Sequence, residues 1–228
     1  SAALPPMALA QVKAPAGVGC QSERLVISPN DDQKIGTVQE GDEAIVAAAL
    51  AAADATFRSW NAMPIVDRAR ILERVGDLIE QKRGRLIALL QMEGGKTIDD
   101  CVSEVREAAD YCRYYASEAR RALVPIAMPG PTGESNELRV RGRGVFICIS
   151  PWNFPLAIFG GQIAAALVAG NSVIAKPAEQ TPLIAYRAVQ MMFDAGVPRE
   201  VLQLVLGRGE TVGRTLTSDP RVAGVAFT

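Results

Sequence analysis

The rhythm of apolar and polar positions changes twice along the chain. Leu25 to Ile27 and Lys34 to Val38 are short apolar runs on either side of the polar turn Pro29-Asn30-Asp31-Asp32, and they predict two strands. From Asp42, a good N-cap, an alanine-rich stretch to about Trp60 predicts a helix. Pro64 opens a second helix, from Ile65 to about Gln91. In it Ile71, Leu72, Val75, Leu78, Ile79, Leu86 and Leu89 recur at helical spacing, and Gly94-Gly95 ends it. A third helix runs from about Thr97 to Leu123, with Cys101, Val105, Ala108, Cys112 and Tyr115 on one stripe. Pro125, Pro129, Gly130, Pro131 and Gly133 then break the helical pattern, and Glu137 to Arg141 alternates as an extended segment.

From Val145 the pattern becomes strand and helix in turn. Strands are predicted at Val145 to Ile149, Ser172 to Ala175, Val201 to Val205 and Val222 to Phe227. Helices are predicted at Leu156 to Ala169, Leu183 to Asp194 and Glu210 to Leu216. Strands joined by helices imply a parallel sheet with right-handed crossovers, and continuous apolar strands imply that both faces are covered. The fold class is therefore α/β: a doubly wound, Rossmann-type parallel sheet preceded by a helical layer. Ligands of such sheets sit beyond the carboxyl ends of the strands. Residues 1–24, rich in proline, glycine and small side chains, read as a tail or linker.

Composition narrows the chemistry. The chain has 228 residues, 49% of them hydrophobic, and no apolar run of membrane-spanning length. Its formal net charge of −1, without a basic patch, gives no footprint for nucleic acid. The stretch before Ala10 lacks the basic start of a secretory signal, so a cytoplasmic location is expected. There is no histidine, which removes Ser-His-Asp and Cys-His catalysis and every histidine-containing metal site; no metal is expected. Cys20, Cys101, Cys112 and Cys148 have no paired spacing and read as reduced thiols.

The candidate chemistry lies where the strands end. After the first parallel strand comes Ser150-Pro151-Trp152-Asn153-Phe154-Pro155. Asn153 is either an amide donor to a developing oxyanion or a cap on the next helix. After the second, Lys176 and Glu179 could grip the vicinal hydroxyls of a ribose, with Glu179 repelling a 2′-phosphate, or could form a surface ion pair of little consequence. After the third, Gly207-Arg208-Gly209 through Gly213 is either a close approach to a nucleotide or a glycine-rich turn. The fourth strand ends at Phe227-Thr228, and a sheet that stops there reads as truncated.

Taken in order, Pro151-Trp152-Asn153, Ala169-Gly170-Asn171, Lys176-Pro177-Ala178-Glu179, Gly207-x-Gly209 and Ala226-Phe227-Thr228 resemble the aldehyde dehydrogenase superfamily, from about Leu25 onward. Glu93 to Thr97, Ser103 to Ala108, Cys148 to Phe159 and Ala175 to Ala185 resemble one branch, the L-glutamate γ-semialdehyde dehydrogenase domain of bacterial bifunctional proline-utilisation enzymes. The resemblance implies NAD as cofactor, the semialdehyde as substrate, and a homo-oligomer. It also implies an upstream proline dehydrogenase whose FAD lies outside this chain, with residues 1–24 as the interdomain linker. It implies Asn153 as the oxyanion-hole amide and Lys176 with Glu179 as the adenosine-ribose pair. Ser150, Pro151 and Trp152 then line the cofactor cleft, Gly209 lies beside the adenine, and Phe227 and Thr228 precede the pyrophosphate turn. Phe154 and Glu107 flank the aldehyde tunnel, and residues 125–143 begin the oligomerisation flap.

The family's nucleophilic cysteine and general-base glutamate match no residue here, nor does its catalytic domain. The expectation is an NAD-binding part, residues 25–228, that is inactive alone and pairs with another copy through its open sheet edge. The alternatives are an aldehyde dehydrogenase of other specificity and a non-catalytic NAD-binding module.

Overall fold

Two central strands with apolar residues on both faces organise the molecule. The computed structural model describes residues 10–12 and 22–228; Cys20 and most of the expected tail lie outside them. Strands β1 (Ala10–Val12), β2 (Ser22–Ile27) and β3 (Lys34–Glu40) form a small sheet in the order β1-β3-β2. β1 falls inside the stretch read as tail. β2 begins at Ser22 rather than Leu25, because Ser22 to Arg24 pair in register with Glu40 to Val38.

Four helices follow: α1 (Glu43–Ala62), α2 (Ile65–Gln81), α3 (Arg83–Gly94) and α4 (Ile98–Ala122). The Asp42 carboxylate accepts from Ile45 N at 2.9 Å and starts α1 as predicted. The single helix expected from Ile65 to Gln91 is two. Its ladder falters at Lys82 in the polar run Lys82-Arg83-Gly84-Arg85, where no atom crowds Gly84 and glycine costs roughly 1 kcal/mol of helix stability. The second piece continues past Gln91 to Gly94, closed by Gly95 in the left-handed region at φ 63°.

Next, β4 (Ile126–Met128) and β5 (Asn136–Leu138) pair as an antiparallel hairpin. The extended segment expected at Glu137 to Arg141 is shifted to Asn136–Leu138, where the three residues of β4 supply its pairing partners.

The remainder is strand and helix in alternation, as expected: β6 (Val145–Ile149), α5 (Ala157–Val168), β7 (Ser172–Lys176), α6 (Pro182–Asp194) and β8 (Leu202–Leu204). A π-turn (Gly209–Gly213) then runs into α7 (Arg214–Ser218) and β9 (Val222–Phe227). All four strands are parallel, in the order β8-β7-β6-β9. The chain steps outward from β6 to β8, then returns to lay β9 on the other side of β6. The strand order therefore reverses between β6 and β9, which opens a crevice at their carboxyl ends.

Side-chain alternation on β6 and β7 feeds two cores. Val145, Ile147 and Ile174 pack with Ile45, Val46 and Leu50 of α1 and with Val212 and Leu216. Cys148, Val173 and Ala175 turn to the other face and join the larger core under α5 and α6. Burying each such Leu or Ile contributes about 1.5–3 kcal/mol. The helical layer expected ahead of the sheet is thus divided: α1 covers one face, and α2, α3 and α4 back α5 and α6 on the other.

Arg68 stitches these layers together. Its buried guanidinium donates to Val168 O at the end of α5 (3.0 Å), to Trp60 O (3.3 Å) and Asn61 O (3.2 Å) at the end of α1, and to Met63 O. Gly170 lies beside it at φ 94°, where a Cβ would stand 2.6 Å from Asn61 Oδ1, so only glycine fits. Among the described residues no helix is long and apolar enough to cross a membrane.

Candidate functional site

The carboxyl ends of β6, β7 and β9 lie side by side. Ser150 N donates to Lys176 O at 3.3 Å, and Thr228 N to Ile149 O at 3.2 Å. The loops singled out in the sequence therefore converge on one rim. Ser150 and Pro151 leave β6, Lys176 closes β7, and Phe227 and Thr228 close β9. Trp152 and Phe227 expose 56% and 74% of their surface, large aromatic areas beside the crevice. Thr228 Oγ1 accepts from Gln162 Nε2 of α5 at 3.0 Å.

Lys176, Glu179 and Gly209 form the tightest group. Lys176 is buried, so the reading of a surface ion pair does not hold. Its ammonium donates to Pro177 O at 3.2 Å and stands 3.7 Å from Glu179 Oε1. Burial lowers its pKa, against the opposing pull of Glu179, Glu40 and Glu210. Glu179 Oε1 accepts from Gly209 N at 2.7 Å, while Arg24 Nη2 donates to Glu179 O at 2.6 Å. Gly213 packs on the Lys176 stem, and nothing stands closer than 4.0 Å to where a Gly209 Cβ would be.

This donor set fits a nucleotide ribose. An ammonium has three N–H donors and only the one to Pro177 O is engaged at hydrogen-bond distance, so donors remain for a hydroxyl. A carboxylate held by a backbone amide can accept from a second hydroxyl. Ser150 Oγ is buried on the same rim without a partner.

Asn153 does not cap the next helix. The free amides at the head of α5, Leu156 N and Ala157 N, donate instead to Glu104 Oε1 of α4, at 2.8 and 3.2 Å. Glu104 Oε2 also takes Lys96 Nζ at 2.5 Å, and the same ammonium donates to Asn153 O at 2.8 Å and sits 4.3 Å from the Phe154 ring centre. The Asn153 residue is itself exposed, so its amide is available to a ligand.

Glu93 repeats the device one helix on. Its two carboxylate oxygens accept from Leu183 N at 2.7 Å and Ile184 N at 2.8 Å, at the start of α6. Burial pushes its pKa up to about 7, outweighing the two amides and Arg24, which act the other way. Neither Glu93 nor the Lys96–Glu104 pair is assigned a role by the sequence reading, though a signal was present. Glu104 falls on the apolar stripe with Cys101 and Ala108, and Glu93 continues the spacing of Leu86, Leu89 and Leu90. A carboxylate on a buried stripe needs a partner.

Glu107 lines an open hollow of about 500 Å³ on α4 with Ser103, Arg106, Asp110, Tyr111 and Tyr114. Phe154 is not among the residues that line this hollow. Cys101, Cys112 and Cys148 are buried, and burial pushes the Cys112 and Cys148 thiols up to about 12. None of the three is a nucleophile at neutral pH.

The sequence model of the aldehyde dehydrogenase family matches residues 19–228. The bifunctional protein PutA of Klebsiella aerogenes is 50% identical over 204 residues, 89% of this chain and 15% of the relative. The 1-pyrroline-5-carboxylate dehydrogenase of Anoxybacillus flavithermus is 35% identical over 93% of this chain and 42% of its own length. The chain thus spans less than half of either relative's length. Among solved structures, PnpE in complex with nicotinamide adenine dinucleotide superposes with a TM-score of 0.84 at 33% identity, covering 90% of this chain and 42% of that one.

Proposed function

The chain belongs to the aldehyde dehydrogenase family, and from that premise we propose that it is the N-terminal, cofactor-binding part of an NAD-dependent L-glutamate γ-semialdehyde dehydrogenase acting in proline catabolism. The names of its relatives, a bifunctional PutA and a 1-pyrroline-5-carboxylate dehydrogenase, support that pathway. One observation carries the reading: Ser150 N donates to Lys176 O, which ties the loop bearing the exposed Asn153 to the buried lysine and the glutamate suited to a ribose.

Lys176 and Glu179 would hold the adenosine ribose, with Gly209 beside the adenine. Ser150, Pro151 and Trp152 would line the cleft, and Phe227 and Thr228 the pyrophosphate side. NAD, when bound, supplies the hydride acceptor. Asn153 would donate its amide N–H to the aldehyde oxygen as that oxygen gains charge on thiolate addition. No described thiol can be that nucleophile, so this segment alone is expected to oxidise no aldehyde. Glu107 and Phe154 would border the aldehyde's path.

The half-exposed Ile126, Met128 and Leu138 of the β4–β5 hairpin suit the start of an oligomerisation flap in a homo-oligomer. Residues 1–24 would link to an upstream proline dehydrogenase carrying FAD, in a cytoplasmic protein.

The deciding assay is NADH formation by the full-length protein, with glutamate γ-semialdehyde compared with small aliphatic aldehydes. Strong preference for the semialdehyde is expected. Turnover of aliphatic aldehydes alone would overturn the substrate, and no turnover on either would favour a non-catalytic NAD-binding module. In the same protein, Lys176→Met should weaken NAD roughly 10-fold or more, since a hydrogen bond from a charged group contributes about 1.5–3 kcal/mol. An unchanged Kd by fluorescence titration would remove Lys176 from the nucleotide site.

A further inference from the structure

We propose that Lys96 and Glu104 act as a positioning pair for the Asn153 amide. The inference rests on the reading of Asn153 as an oxyanion donor and extends it to two side chains buried behind the loop.

The loop from Ser150 to Leu156 belongs to no helix or strand. A donor on such a loop contributes to catalysis only if its direction is set before the reaction begins. Here the loop is held from outside at two points. Lys96 Nζ binds the carbonyl of Asn153 itself at 2.8 Å, which restrains the Asn153–Phe154 peptide plane and narrows the range of positions from which the side chain can start. Glu104 Oε1 binds Leu156 N and Ala157 N, which fixes the far end of the loop at the head of α5. The two anchors are joined by the 2.5 Å Lys96–Glu104 contact, with side chains 12% and 0% exposed. The Lys96 ammonium also lies over the Phe154 ring, so the residue following Asn153 is pinned by the same group. The same ammonium that neutralises buried Glu104 thus also donates to the backbone of Asn153, the exposed residue read as the oxyanion donor.

A double-mutant cycle in the full-length protein separates positioning from mere support. The set is wild type, Lys96→Met, Asn153→Ala and the combination, each assayed for kcat, for KM toward NAD, and for the urea midpoint. Lys96→Met is expected to lower kcat roughly 10-fold or more, because misplacement of about 1 Å can cost about 100-fold, while KM for NAD stays within about twofold. The combined variant should turn over no more slowly than Asn153→Ala, because no amide remains to be placed. Losses that multiply in the combination, or a normal kcat in Lys96→Met, would overturn the proposal. Should Lys96→Met fail to fold, Lys96→Met/Glu104→Gln removes both charges and takes its place in the cycle with the same expectations. A normal kcat in Asn153→Ala is a separate result: it removes the oxyanion reading, and the positioning pair falls with it.

Discussion

Asn153→Ala in the full-length protein will lower kcat by about 10²–10³-fold, the usual loss on removing one oxyanion-hole donor. The fold gives this substitution an unusually clean reading. The α5 amides are taken by Glu104, and Lys96 binds the Asn153 backbone carbonyl, which alanine retains. Alanine therefore removes the amide and leaves the loop's anchors in place, so melting temperature and NAD affinity should stay near wild type. Steady-state kinetics at saturating substrate decide the matter. Near-normal turnover would mean that the developing charge is stabilised elsewhere.

The second large effect is on stability. Glu93→Ala leaves Leu183 N and Ile184 N buried without acceptors and opens a cavity between α3 and α6. At about 1–3 kcal/mol for each stranded donor, the loss should be roughly 3–5 kcal/mol by urea unfolding. It should also depend on pH. Burial raises the folded-state pKa of Glu93 from 4.5 to about 7, so between those values the folded form holds more proton than the unfolded form. Glu93's contribution is then fully present below about 4.5 and declines as pH rises through 7. The gap between wild type and Glu93→Ala should be larger at pH 5 than at pH 8. A gap below about 1 kcal/mol, or one that widens toward pH 8, would show that the carboxylate is not what secures the head of α6.

How far the sequence could be read follows from how local each feature is. Val145 to Ile149 is legible residue for residue because five consecutive apolar side chains between Gly144 and Ser150-Pro151 suit little but a covered parallel strand. The break at Lys82 is hard to read, since the apolar spacing runs through it and the polar run Lys82-Arg83-Gly84-Arg85 also suits the exposed face of an unbroken helix. Lys176, Glu179 and Gly209 stand out singly as strand-end loops, but their meeting depends on β7 lying between β6 and β8, which is a matter of topology. The Lys96–Glu104 pair is the clearest miss: its partners lie 57 and 52 residues away, where periodicity carries no information.

The carboxylates that cap the strand-end helices also impose an order on synthesis. Glu104 is made 52 residues before the Leu156 amide it will bind, and Glu93 90 residues before that of Leu183. At about 5–20 residues per second on the ribosome, Glu93 waits roughly 5–20 seconds for its partner. Until then Glu104 has Lys96, made eight residues earlier, while Glu93 has water in place of the two α6 amides. The α3 and α4 faces that bear these carboxylates acquire their folded-state acceptor role only once the heads of α6 and α5 have been made.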